Sequence, residues 1–193
     1  MTISQLQKEI SNSLSECCLS IGFDIDNATT FYNTKKNIIR LFHIDFLNSK
    51  NAAYFNTSTA SFSLNIGIFF NFLENVTNPK EYEAHFRGQI LRNFYQKHPM
   101  DLKKFSWLHP ERWRRDIWWV DKDGKNLKNI LLSSRRLTKD KVLNWLDKYS
   151  DIDKAIWFLK NKKENFKGGP FGFGNIKSPC RLKLIKNLEI MKR

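Results

Sequence analysis

Cysteine is scarce in this chain, and two of the three present, Cys17 and Cys18, are adjacent while Cys180 stands far away. With no Cys-x-x-Cys spacing, a disulfide framework and a structural zinc site are both disfavoured, and reduced thiols in a reducing compartment are expected. Histidine is equally sparse: His43, His85, His98 and His109 show no H-x-x-x-H or H-x-E spacing, so no metal site is predicted. There is no Gly-x-Ser-x-Gly nucleophile motif, and Cys17-Cys18 falls near an apolar stripe, where a small buried hydrophobe is the plainer reading. The glycine-rich run from Gly168 to Gly174 lacks the Gly-Lys-Ser/Thr ending of a phosphate loop. No cofactor is implied.

Long apolar runs are missing too. The longest, Ile66 to Leu73, is broken by Gly67 and Asn71 and falls well short of a membrane span. The first nine residues lack a basic segment followed by an apolar one, so no secretory signal is expected and a cytoplasmic location is. With 193 residues and 41% hydrophobic content, the chain suffices for one well-buried core, and a single domain spanning 1–193 is expected.

Acidic residues are the last deficit, 19 against 33 Lys and Arg, a formal charge of +14. Lys and Asn are abundant throughout, as in products of AT-rich genomes, but the excess has a position. Residues 1–96 hold eight basic and eight acidic residues, leaving 25 against 11 in residues 97–193. Compositional drift alone should not respect such a boundary. The basic half should attract polyanions at long range and release them as salt is added.

What the chain does possess is one very clear strand. From Ala60 to Phe70, Phe62, Leu64, Ile66, Ile68 and Phe70 alternate with Ser61, Ser63, Asn65 and Gly67, which reads as a half-buried strand. Before it, Ile3, Leu6, Ile10, Leu14, Cys17 and Ile21 draw a stripe down a helix ended by Gly22, predicted to pack on the sheet. Thr30 to Thr34 reads as strand, Asn33 to Asn37 as a polar turn, Ile38 to Leu47 as a second strand, and Asn48 to Thr59 as a polar loop. Short loops between successive strands indicate an antiparallel meander.

After Pro79, Tyr82, Ala84 and Phe86 alternate with Glu81, Glu83, His85 and Arg87, predicting a fourth strand from Lys80 to Ile90, and Trp113 to Val120 a fifth, followed by a turn at Asp123-Gly124. The period then becomes helical through Leu127, Ile130 and Leu131, through Val142, Leu143 and Leu146, and through Ile156, Phe158 and Leu159. Thr138 and Ser150 are candidate N-caps, with Asp153 three residues after Ser150, and Ser178-Pro179 opens a C-terminal helix. The expected fold class is α+β: an antiparallel sheet of about five strands, an N-terminal helix and a helical C-terminal half.

Gly22-Phe23, Phe31-Tyr32, the strand Ile38 to Phe46, Phe62-Ser-Leu-Asn-Ile-Gly-Ile, His85-Phe-Arg87 and Trp118-Trp119 occur in the order and approximate spacing of the domain of unknown function 4304 family. The chain resembles that family over most of its length. The resemblance implies a small bacterial α+β domain without an established activity. This sequence carries Ala84 and Gln89 where family members often have Cys and Arg.

Two constellations stand out. On one strand face, Glu81, Glu83, His85 and Arg87 would place carboxylates, an imidazole and a guanidinium together, joined by His43, Asp45 and Asn65 if neighbouring strands align. Glu83, His85 and Arg87 are the candidate polar site. The plainer reading is a solvated sheet face with cross-strand charge pairs. The second constellation interleaves Arg112, Arg114 and Arg115 with Trp113, Trp118 and Trp119, residue types that neutralise phosphates and stack on bases. Arg135, Arg136, Lys139, Lys141, Lys160, Lys162, Lys163 and Lys167 extend the basic supply. Here the plainer reading buries Trp118 and Trp119 and lets the arginines snorkel over them.

The expected function is therefore a non-enzymatic binding or accessory module, alone or within a larger bacterial assembly such as a defence system. Its nucleic-acid-binding candidates are Arg112, Arg114, Arg115, Arg135, Arg136, Lys160, Lys162, Lys163 and Lys167. The alternative is an immunity- or antitoxin-like protein that neutralises an acidic protein partner with the same charge. A hydrolase built on the His85 strand ranks last.

Overall fold

The structure, a computed structural model, describes residues 1–74, 77–93, 96, 114–161 and 179–192. Helix α1 (Ile3–Ser20) begins with a capping box: Thr2 Oγ1 accepts from the Gln5 amide at 3.3 Å, and Gln5 Oε1 accepts from the Thr2 amide at 2.7 Å. It ends as the sequence predicts. Gly22, at φ +86°, lets its N–H reach the Leu19 carbonyl at 3.0 Å and the Phe23 N–H reach Cys18 at 3.1 Å, which turns Phe23 into the core. Along α1, Leu6, Ile10, Leu14 and Cys17 are buried, whereas Ile3, at the helix start, is exposed.

Strands β1 (Asp24–Ile25), β2 (Thr30–Lys35), β3 (Ile38–Phe46) and β4 (Phe62–Phe70) follow as an antiparallel meander. Lys36 and Asn37 form the β2–β3 turn with φ of 50° and 60°, the left-handed pair that matches the twist of a tight hairpin. Between β3 and β4 the expected polar loop contains a helix, α2 (Ser49–Tyr54), because the Asn48 side chain accepts from the Asn51 amide at 2.8 Å and caps it. The far edge of β4 pairs with two short strands, β5 (Phe86–Gln89) opposite Asn65 to Ile68, and β6 (Ile117–Trp118) opposite Phe62 and Ser63. Both run antiparallel to β4, so they lie end to end and point the same way.

Two predicted strands thus prove shorter. Between Lys80 and Ala84 the chain makes a 3₁₀ turn (Glu81–Glu83), since the Glu83 carboxylate accepts from the Lys80 amide at 2.6 Å and the Ala84 N–H reaches the Glu81 carbonyl at 3.2 Å. Strand pairing therefore starts only at Phe86. In the Trp113 to Val120 segment, Arg114 has φ +48° within a turn whose carbonyl accepts from Ile117, leaving Ile117–Trp118 as strand; Trp113 lies outside the described residues. The half-buried reading of β4 also needs correction, because all nine of its residues are buried. The second face is covered by Ala84, His85 and Gln89, from the turn and β5.

Helix α3 (Leu127–Ser150) is continuous through Thr138, which is buried mid-helix and caps nothing. The cap of α4 (Ile152–Asn161) is Asp151 rather than Ser150: its Oδ1 accepts from the Lys154 amide at 3.0 Å. Helix α5 (Pro179–Met191) opens on proline as expected. These helices and α1 cover one face of the sheet with a core that joins Phe42, Leu64 and Ile66 to Trp118, Leu146, Leu159 and Leu188. Trp118 stacks on Phe62 at 6.1 Å with planes 4° apart, and Tyr149 stacks on Phe86 at 5.6 Å. Strand β5 comes so near α3 that a Cβ on Gly88 would meet Trp145 Cζ2 at 2.9 Å. The fold is α+β. No helix among the described residues is long and apolar enough to cross a membrane.

Candidate functional site

The polar group expected around His85 does not assemble. Glu83 is spent on its own turn, and His85 turns its Nδ1 to the Phe70 amide at 3.0 Å, with its ring 4.6 Å from that of Phe69. Its Nδ1 is therefore an acceptor, standing in for the ladder carbonyl that the 3₁₀ turn withholds from β4. Burial holds the His85 pKa below the ordinary histidine range, against a weaker opposing pull from Glu74. Arg87 lies opposite Gly67 on the outer sheet face.

Strand register does align other polar residues. Thr30, His43, Asn65 and Gln89 are successive cross-strand partners on β2, β3, β4 and β5. Thr30 Oγ1 lies 3.0 Å from His43 Nδ1, and Gln89 Nε2 donates to Asn65 Oδ1 at 3.1 Å. Thr30, His43 and Asn65 of this row floor a cavity of about 580 Å³, whose walls include Tyr32 and whose rim carries Asp26, Asp45, Lys80, Glu81 and Tyr82. Tyr32 donates to the Pro79 carbonyl at 2.9 Å, which ties the rim to β2. Burial, then Asp26 and Glu83, raise the Tyr32 pKa. His43, Asp45 and Asn65 were legible as partners; Thr30 and Tyr32 were missed, although their parity in Thr30-Phe-Tyr32 carries the signal. Among the described residues no group of three or more His, Cys, Asp or Glu is suited to a metal ion.

The arginine–tryptophan segment is mostly internal. Trp118 and Trp119 are buried, so neither ring is presented for stacking on a base. Arg114 forms a fork with Asp116 (Nε–Oδ1 3.1 Å, Nη2–Oδ2 2.9 Å) and lies over the Phe55 ring at 5.1 Å. Arg115 donates from Nε to the Arg92 carbonyl at 2.7 Å, and the Arg92 amide returns a bond to the Arg115 carbonyl at 2.9 Å. Arg92, which the sequence reading passed over, is 3% exposed; burial, and then the Arg115 charge, push its pKa down to about 10, against the pull of Asp116.

The remaining basic candidates are on helices. Arg135 and Arg136 line a groove between α1 and α3 of about 1040 Å³, together with Lys8, Lys128 and Lys139, which face Glu9, Glu16 and Asp140 across or along it. The Arg135–Glu16 and Arg136–Asp140 distances are both 3.7 Å between exposed side chains. Leu132, 72% exposed, stands in the same groove. Lys160 pairs instead with Glu189 of α5. Arg112, Lys162, Lys163 and Lys167 lie outside the described residues. Beneath the groove, burial pushes the Cys18 thiol well above its ordinary range and raises Cys17 less, opposed there by Lys139 and Arg135, so both are inert packing groups. Lys128 and Leu132 were missed, though with Arg135 and Lys139 they step by 4, 3 and 4 along one helical face.

Fold and surfaces together define a small α+β protein: one antiparallel sheet with a helical layer on one face, a polar cavity on the other, and a basic groove in the layer. The chain belongs to the family described as domain of unknown function DUF4304, whose model matches residues 14–148. The match takes in the whole sheet and ends near the close of α3, leaving α4 and α5 beyond it. No curated protein and no solved structure matches the sequence.

Proposed function

We propose that this protein is a non-enzymatic binding module whose basic half contacts the phosphate backbone of nucleic acid, with α3 as the contacting element. The carrying observation is the alignment of Lys128, Arg135 and Lys139 on one face of α3, with Arg136 beside them and Lys8 across the groove. From Lys128 to Lys139 the helix rises about 16 Å, enough to follow several successive phosphates of one strand. The two carboxylates nearest the arginines are exposed and about 3.7 Å away, so their pairing is weak and phosphates can replace them. With Trp118 and Trp119 in the core, contact is expected through phosphates, without sequence preference.

A second reading rests on Leu132. An exposed leucine in a basic groove offers an apolar anchor that suits an acidic protein partner, as an immunity- or antitoxin-like role requires.

A fluorescence-anisotropy titration with single- and double-stranded oligonucleotides at low and near-physiological salt separates the two. The first reading expects binding that weakens steeply with salt and is lost in the Lys128→Glu, Arg135→Glu, Lys139→Glu variant. Absence of binding at low salt by the folded protein overturns it and leaves the protein-partner reading. Arg115 is unsuitable for such charge reversal, because its guanidinium holds the backbone at Arg92.

A further inference from the structure

We propose that the cavity on the outer face of the sheet binds a small neutral polyhydroxy compound, a sugar or cyclic polyol with neighbouring hydroxyls. The floor supplies the first requirement. Asn65 is 6% exposed; its Oδ1 is taken by Gln89, and among the described residues its Nδ2 has no hydrogen-bond partner, which leaves an amide donor at the cavity wall. Beside it, His43 has Nδ1 fixed by the Thr30 hydroxyl at 3.0 Å, so its Nε2 is the ring atom left for a ligand. The rim supplies the opposite chemistry: the carboxylates of Asp45 and Glu81 are acceptors that form no ion pair among the described residues.

The combination selects the ligand. An anion would meet Asp26, Asp45 and Glu81 with, among the described lining residues, only Lys80 to offset them, and Lys80 is drawn over the Tyr82 ring at 5.8 Å. A simple organic cation would satisfy the carboxylates but offer no acceptor to Asn65. A hydroxyl donates and accepts through one atom, so a ring bearing two or three of them can give to the rim and take from the floor at once. Tyr82, 62% exposed at the mouth, adds an aromatic surface for the C–H side of such a ring. A cavity of about 580 Å³ is of the size that takes a mono- or disaccharide.

The test uses the full chain in saturation-transfer NMR and calorimetry with D-ribose, D-glucose, sucrose and myo-inositol, and with putrescine and citrate as the cationic and anionic probes. Saturable binding of at least one polyhydroxy probe is expected, with movement of the His43 ring signals. Asp45→Ala and Glu81→Ala, both toward the rim, should each weaken it about tenfold, the worth of one hydrogen bond to a charged acceptor. The Lys128→Glu, Arg135→Glu, Lys139→Glu variant should bind as tightly as the parent, so the failure of one site is distinguishable from failure of the other. No saturable binding of any polyhydroxy probe, binding of putrescine or citrate alone, or binding indifferent to both rim substitutions would each overturn the proposal.

Discussion

Arg40 Nη2 of β3 lies 2.7 Å from Asp147 Oδ1 of α3, while Arg40 Nε donates to Ser150 Oγ at 3.2 Å. The guanidinium thus clamps the end of the long helix to the sheet from a position on the helix-facing side of β3, opposite Ile68. The pair is lopsided: the Arg40 side chain is 11% exposed and that of Asp147 64%.

Arg40→Ala is therefore expected to cost about 1–3 kcal/mol, since it removes packing as well as hydrogen bonds. Asp147→Ala should cost no more than about 1 kcal/mol, because water already screens its carboxylate. Urea midpoints of the two variants check this, and equal losses would show that the clamp works through charge alone.

Gly88 is expected to be intolerant of a methyl group for want of space. Gly88→Ala should destabilise by about 1–3 kcal/mol, as overpacking against a rigid ring does. Trp145→Leu in the same chain should recover part of that loss. A double-mutant cycle by thermal or denaturant unfolding measures the coupling, and additive effects would disprove the close approach.

His85 predicts a pH dependence with a definite sign. Its folded pKa is depressed, so the unfolded chain takes up a proton first, and stability falls as pH drops below the unfolded value of about 6.5 toward the folded one. Above that window the contribution is fully present. His85→Gln should flatten this slope relative to the parent, and a slope unchanged by the substitution would mean another group is responsible.

Burial of both faces of β4 alters the expected response to charge. Leu64→Asp should unfold the chain or come close, and Ser63→Asp, at a residue 7% exposed, should also be costly rather than mild. Expression level and denaturant midpoint of Ser63→Asp decide the point.

The sheet was legible because its signals are local. Strand parity in Phe62 to Phe70 and the left-handed Gly22 each follow from neighbours along the chain, and the structure keeps both; of the turn expected over Asn33 to Asn37 it keeps Lys36 and Asn37, because β2 pairs on through Lys35. The failures share the opposite cause. Alternation from Lys80 to Arg87 resembled a strand, but the reach of the Glu83 carboxylate back to the Lys80 amide decided the backbone there. Nothing in the spacing of Ser61, Ser63 and Asn65 reveals that a distant segment covers their face. The residues around Arg40 name no partner for it, because Asp147 is more than a hundred residues away. The site was legible only in part for the same reason: His43, Asp45 and Asn65 meet through register, whereas Lys80, Glu81 and Tyr82 of the rim come from a turn that was read as a strand.

β5 and β6 lie end to end along one edge of β4, and the chain leaves and rejoins that edge at adjacent rungs: the Ile90 amide bonds the Leu64 carbonyl at 2.9 Å, and Ile117 sits opposite Ser63. Topologically they are one strand with 27 residues spliced into it. The splice points are fixed by β4 rather than by what lies between them, so the sheet sets no length for the insert. Closing a longer one costs only about 0.6 kcal/mol per doubling. A seam of this kind would let the intervening sequence be exchanged while the meander is kept, since any grafted segment would enter and leave at neighbouring points on the same edge.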